Sequence, residues 1–367
     1  MFILNKFSSK KQSFLILLLP LGFLLTQASK LFPNFIEQFY SSYLYKIIAS
    51  ILSAGTGFLP FSLAEFIIIF FVAFTLWYIL KTILILYKCN NKRLKLFKKF
   101  VLNILAASGL IYFSFQFLWG FNYQRLNIDK IFQLNVRKSS SNELSLLCQS
   151  LVNSSNTLRK NINVNQYGVM KIPYNKNHIL YVAHLGYDRA SLKYSKLKDD
   201  YGTPKAILLS NSMCYTGITG FYFPFTNEAN VNMAEPDSFL PFTTVHEIAH
   251  QIGFAKENEA NYIAYIACIN HPDINFQYSG TLAALSYSFN ALWKSDPHKY
   301  KELILTCSKG VISDLKYNRK FWEGYSGPME KMGDKINDTY LKSQNQKSGT
   351  KSYGEMVDLL IADYRNK

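Results

Sequence analysis

Three long apolar stretches fall within the first 120 residues of this 367-residue chain, and they restrict its possible folds more than any other feature. Residues 14–29 (FLILLLPLGFLLTQAS), 66–87 (FIIIFFVAFTLWYILKTILILY) and 100–119 (FVLNILAASGLIYFSFQFLW) are each long enough, or nearly so, to cross a hydrocarbon layer ~30 Å thick. Inside that layer no water satisfies backbone N–H and C=O groups, so such segments must be helical. We expect three transmembrane helices at about 14–32, 66–87 and 100–119. The first could instead be a cleaved signal peptide, since Lys6, Lys10 and Lys11 precede the apolar run and Thr26-Gln27-Ala28-Ser29 follows it. Against that, the apolar run continues to Phe32. Pro33 then opens a segment with Phe35, Ile36, Phe39, Tyr43, Ile47 and Ile51 at helical spacing, expected as an amphipathic helix over about 34–53 on the membrane surface.

Orientation follows from the lysines and arginines, which concentrate in cytoplasmic loops. The tail holds Lys6, Lys10 and Lys11, and the second connection holds Lys88, Lys92, Arg93, Lys95, Lys98 and Lys99, whereas the first connection has only Lys30 and Lys46. Tail and second connection are therefore expected to be cytoplasmic, with residues 121–367 emerging on the opposite side of the membrane. The same bias explains the net charge of +16. Residues 1–120 carry 12 Lys and Arg against Glu37 and Glu65, a balance of +10, which leaves residues 121–367 at only +6. The excess records topology and gives no case for a nucleic-acid partner; the lipid bilayer is the partner it implies.

The outer segment carries the chemistry. Residues 243–261 (TTVHEIAHQIGFAKENEAN) contain HExxH, with His246 and His250 one helical turn apart on one face, where both imidazoles can bind one metal ion, and Glu247 beside it. A catalytic zinc takes three protein ligands and keeps a fourth position open, so one more donor is needed. Gly253 suits a helix end, and KENEANYIAYIACI reads as a second helix with Glu257 and Glu259 near its start. Spacing leaves both available. Lys256 stands where a metzincin has its third histidine, which excludes that class. On its KEN turn Glu257 reads as a solvated, dipole-complementing charge. A competing structural reading makes Thr244-Val245-His246-Glu247 a capping box at a helix start, with the histidines merely packed.

Elsewhere, residues 139–166 read as a helix, AILLSN and GITGFYFPF within 204–233 as β-favouring runs, 281–318 as helical, and 326–350 as a surface loop rich in Gly, Asn, Lys and Ser. The run GFYFPFTNEANVN at 220–232 is a candidate strand for pairing with an extended substrate; a plain structural strand ending at Pro224 is the alternative. His178, His184, His271 and His298 lack ligand spacing. Cys89 lies in the second connection, and Cys148, Cys214, Cys268 and Cys307 lie beyond the membrane segments, none in CxxC or CxH spacing; the outer four can pair in three ways or stay buried thiols. The fold class is thus α+β and mostly helical: a three-helix anchor over 1–120, then an outer domain with a small sheet over 121–367.

Glu259-Ala260-Asn261 resembles the Glu-Ala-Asn signature of glutamate-type zincins, which implies Glu259 as third ligand with His246 and His250, and Glu247 as base. WGFNYQR at 119–125, GFYFPFTNEANVN, PFTTVHEIAHQIGFAKENEAN and NDTYLKSQNQKSGTKSYGEMVDLL at 337–360 together resemble a family of bacterial membrane proteins known as domain of unknown function 3810. That resemblance implies the three-helix anchor and a zincin-like outer domain, and no substrate. The expected activity is zinc-assisted peptide hydrolysis with one Zn2+: the metal lowers the pKa of its water, Glu247 takes the proton, and the hydroxide attacks a carbonyl of a peptide or envelope protein. The alternative is a non-catalytic, zinc-stabilised envelope-binding protein. An intramembrane protease is disfavoured, because the motif lies more than a hundred residues past the last crossing. No position matches an oxyanion-stabilising residue.

Overall fold

The computed structural model describes residues 9–88, 92–198, 201–344 and 346–366; Lys6 and Cys89, invoked above, lie outside them. The described residues are mostly helical, with one three-stranded sheet. Two compact units emerge, one of Met1–Ile48 with Leu63–Arg125 and one of Ala49–Ser62 with Leu126–Lys367. This division differs from a single boundary at 120. Residues 49–62 are tied into the second unit by hydrogen bonds: Ser62 Oγ donates to Asn230 Oδ1 at 2.6 Å, Thr56 Oγ1 to Thr226 O at 2.9 Å, and Lys205 Nζ to the carbonyls of Gly57 and Leu59.

In the first unit, α1 (Ser9–Ser29), α2 (Leu63–Lys88) and α3 (Arg93–Leu118) are long and apolar enough to cross a membrane, which marks the chain as a membrane protein. Their apolar side chains are largely exposed, as on surfaces made for lipid. α3 begins seven residues before its apolar run, because lysine and arginine are good helix formers that carry the helix on beyond the apolar segment. Between α1 and α2 the chain is helical from Pro33 to Thr56, with a π-helical stretch at Ile36–Leu44, and presents Phe35, Phe39, Tyr43, Ile47 and Ile51 as an exposed row. Within this unit Glu37 is buried and accepts both Nε and Nη2 of Arg125, at 2.8 and 2.9 Å.

The second unit starts its core with α4 (Ser141–Arg159), where Ser140 and Glu143 form a capping box and Leu144, Leu147 and Leu151 are buried. The sheet comprises β1 (Lys205–Ala206), β2 (Gly220–Phe223) and β3 (Glu228–Val231) in the order β1-β3-β2, with β1 parallel and β2 antiparallel to β3. Gly220 pairs with Val231 and Phe223 with Glu228, so β2 and β3 form a hairpin with β2 at the edge. The core is built by α5 (Leu240–Gln251), α6 (Glu257–Asn270) and α7 (Ile274–Ser295), with α7 packed along α4.

Two expectations about local structure fail. AILLSN supplies only the end of β1: after Ile207 N bonds Val231 O, Leu208 and Leu209 are exposed and Ser210–Cys214 turns helical. Residues 326–350 are not a loop. Gly327-Pro328 there starts a helix, Pro328–Ser343, whose proline occupies the position where a missing N–H costs nothing, and whose Leu341 is buried. The region 281–318 is helical but in three pieces, restarted at Asp296 and Ser308, whose side chains cap the next helix.

Candidate metal centre

α5 starts at Leu240 with Pro241 in its first turn, so Thr244–Glu247 lies in mid-helix, and a capping box there is ruled out. All twelve residues of α5 are buried. The helix ends where Gly253 takes φ +93°, a conformation costly for other residues, which lets Gly253 N bond His250 O and Phe254 N bond Ala249 O. The chain reverses within a few residues and Lys256 leads into α6. This turn also orients a ligand: His250 Nδ1 donates to Phe254 O at 2.8 Å, which holds the ring with Nε2 toward His246 and Glu257.

His250 Nε2 lies 3.1 Å from His246 Nε2, and Glu257 Oε2 lies 3.3 Å from the latter and 3.4 Å from the former. Two ligands of a tetrahedral ion with bonds of ~2.0–2.1 Å are separated by about 3.3 Å, so this triangle has the edge lengths of a zinc site. Among the described residues, His246, His250 and Glu257 are the set that converges in this way. Glu257, expected as a solvated charge, is buried.

Glu259 is not brought to the histidines. Its Oε1 accepts Ile128 N at 3.2 Å and Lys256 Nζ at 3.3 Å. Two residues apart on a helix is a rotation of about 200°, so Glu257 and Glu259 face opposite ways, and packing of α6 on α5 selects the first. Glu247 points toward the edge strand: a Cβ on Gly220 would fall 2.6 Å from its Oε1 and 2.8 Å from Asn230 O, so only glycine lets β2 pass this close. Glu247 Oε2 is buried with no hydrogen-bond partner.

Without a cation, the site holds its charge unevenly. Burial opposes a charge on His250, but the Glu257 carboxylate outweighs it and raises the imidazole to about 9. Burial holds His246 below its usual range, against its hydrogen bond to Glu257 and with the help of the charge on His250. Burial would raise Glu257, but the two histidines bring it down to about 2. Glu247 is pushed up to about 8 by burial, opposed by His250 and reinforced by Glu257 and Glu235. A divalent cation at the centre of the triangle would neutralise these opposed demands at once.

Three further polar residues belong to this neighbourhood. Asn261, one turn after Glu257 on α6, favours a proton on His246, and Asn261 and Glu257 both bear on Tyr287 of α7. Buried Glu235, where ionised, raises both Glu247 and Tyr287. No spacing rule points to Tyr287 or Glu235, because each arrives from a separate element. The other histidines serve elsewhere; His271, for example, bonds Val182 O at 2.8 Å. Cys148, Cys214, Cys268 and Cys307 are free thiols, the first three buried.

No curated protein and no solved structure matches this chain. A family model does, over residues 40–361, a span that includes α2, α3, the sheet and the whole histidine–glutamate cluster. The chain therefore belongs to the family described as "Protein of unknown function (DUF3810)".

Proposed function

We propose that this protein is a membrane-anchored zinc metallopeptidase in which His246, His250 and Glu257 hold one Zn2+ and Glu247 is the general base. The carrying observation is the triangle of donor atoms 3.1–3.4 Å apart, with an unpartnered buried carboxylate oxygen on the next residue of the same helix. A zinc ion there supplies Lewis acidity, polarising a carbonyl and acidifying water. The rest falls to side chains. Glu247 accepts a proton as the nucleophile forms and returns it to the leaving amine; His250 and Glu257 keep their donor atoms aimed by the Phe254 carbonyl and the α5–α6 turn.

A peptide substrate is favoured by β2. It is an edge strand, half-exposed along its length, and its first residue touches Glu247, so an extended peptide paired to its outer edge would carry a scissile bond past the base. A helix with HExxH, a glycine turn, a second helix with the glutamate and an adjacent edge strand also make a zincin-like arrangement. The lysine distribution supports an outer face of the bacterial inner membrane for the catalytic unit, and the apolar row from Phe35 to Ile51 supports contact with lipid.

The test is metal analysis of the full chain purified in detergent, followed by exposure to peptide libraries. Near-stoichiometric zinc and cleavage by the wild type, with zinc but no cleavage in Glu247→Gln, is the expected result. Zinc without turnover in the wild type would favour a metal-stabilised binding protein, and absence of zinc would remove the metal centre altogether.

A further inference from the structure

Between the end of α2 and the start of α3, Ile83, Leu86, Tyr87, Arg93, Leu94 and Phe97 line a cleft of about 630 Å³, within the size range of small-molecule sites. All six belong to the first unit. We infer that this cleft binds one anionic phospholipid, with its phosphate on Arg93 and an acyl chain along the apolar walls. The site is independent of the metal centre and of any hydrolysis.

The walls come from two helices that are long and apolar enough to cross a membrane. Ile83 and Leu86 on α2, and Leu94 and Phe97 on α3, are each three residues apart, so each helix lays a pair of side chains along one face. Ile83, Tyr87, Leu94 and Phe97 are exposed, and apolar surface of this kind is more stable against hydrocarbon than against water. Tyr87, an aromatic ring with a polar tip, suits the headgroup level.

The charge at the cleft is of one sign. Lys88, Lys92, Arg93, Lys95, Lys98 and Lys99 cluster here, and no Asp or Glu occurs between Glu65 and Asp129 in the sequence. Arg93 donates from Nε to Leu86 O at 2.8 Å and from Nη2 to Tyr87 O at 3.2 Å. Both acceptors are neutral carbonyls at the end of α2, so the guanidinium is fixed beside the cleft while its charge is left for an anion to meet. Two of its five N–H groups are engaged in this way, and a phosphate can take others in a fork. A soluble anion would match the cations but leave the apolar walls in water. A zwitterionic lipid would cover the walls but bring a further cation among the lysines. An anionic lipid meets both demands, and basic residues beside a membrane-crossing helix attract such lipids.

The test uses the full chain purified in detergent, with bound lipid counted by native mass spectrometry as dioleoylphosphatidylglycerol or dioleoylphosphatidylcholine is added. The wild type should retain one phosphatidylglycerol under conditions that strip phosphatidylcholine. Arg93→Gln should weaken phosphatidylglycerol binding about tenfold, the effect of losing hydrogen bonds to a charged group. Lys10→Gln, which removes one charge from α1, should leave it unchanged. Phe97→Ala keeps every charge and should also weaken binding, because it shortens the apolar wall; unchanged helix content by circular dichroism shows that each variant is folded. Glycerophosphoglycerol, the same headgroup without chains, should not compete. Equal retention of the two lipids, or equal loss in Arg93→Gln and Lys10→Gln, would overturn the site in favour of diffuse charge. Competition by glycerophosphoglycerol would replace the lipid with a soluble anion, and unaltered binding in both Arg93→Gln and Phe97→Ala would overturn the placement in this cleft.

Discussion

The second unit contains two buried charged clusters of opposite character. In one, Asp314 is fully buried and accepts Arg159 Nε at 2.6 Å, Met170 N at 2.7 Å and Tyr278 Oη at 2.6 Å, while Arg159 Nη2 donates to Gly168 O at 2.7 Å. Its bonds join α4 and α7 to the loop at 168–170 and to the helix Lys309–Glu323. In the other, His246, His250 and Glu257 point their donor atoms at one another, and Glu247 keeps an oxygen with no partner. Burying polar groups is costly unless they are satisfied, so a closed network is explained by the fold it braces, whereas the open one is what supports the proposed metal.

That contrast can be broken by substitution. Glu257→Ala should abolish metal binding, whereas Glu259→Gln and Asp314→Asn should leave it intact, as read by metal content after dialysis. Glu247→Gln should retain the metal and lower peptide hydrolysis by about 10²–10⁴-fold, the usual share of a general base. On stability the order reverses. Asp314→Ala strands a buried guanidinium and should cost about 3–5 kcal/mol, while Glu247→Gln in metal-free protein should leave the thermal midpoint unchanged or raise it. Tyr278→Phe removes one of three donors to Asp314 and should cost about 1 kcal/mol by denaturant titration. Equal destabilisation by Asp314→Ala and Glu247→Gln would erase the distinction between the clusters.

The metal-free site should also show a pH dependence. Burial pushes Glu235 up to about 8 from an ordinary 4.5, against the Thr243 hydroxyl and the Lys176 charge. The folded protein keeps this proton where the unfolded chain releases it, so this group's contribution is complete below about 4.5 and is lost as pH rises through about 8. Glu235→Gln should flatten the thermal midpoint of metal-free protein over that interval. Asp237, two residues on, behaves oppositely: burial would raise it, but Lys176, Ile172 N and Lys171 hold it below its usual range.

Much of the architecture is legible before any coordinates. Runs of 16–22 apolar residues admit one conformation in lipid, and the positions of His246, Glu247, His250 and Gly253 follow from helix periodicity and the torsional freedom of glycine. Local chemistry misleads where two outcomes share one composition. Gly327-Pro328 breaks or begins a helix according to what its apolar face can pack against, and AILLSN is strand only for as long as β3 runs beside it.

The sequence by itself determined the three long apolar helices, the paired histidines and the turn that brings a second helix back upon them, because each depends on contacts within a few residues. Only the tertiary structure decided that Glu257 rather than Glu259 meets the histidines, that residues 49–62 join the second unit, and that Tyr287 and Glu235 enter the site's neighbourhood. The reason is geometric. A helix offers both carboxylates at nearly equal cost, and the rotation that selects one is set by how α6 and α7 pack, through contacts between residues far apart in the chain.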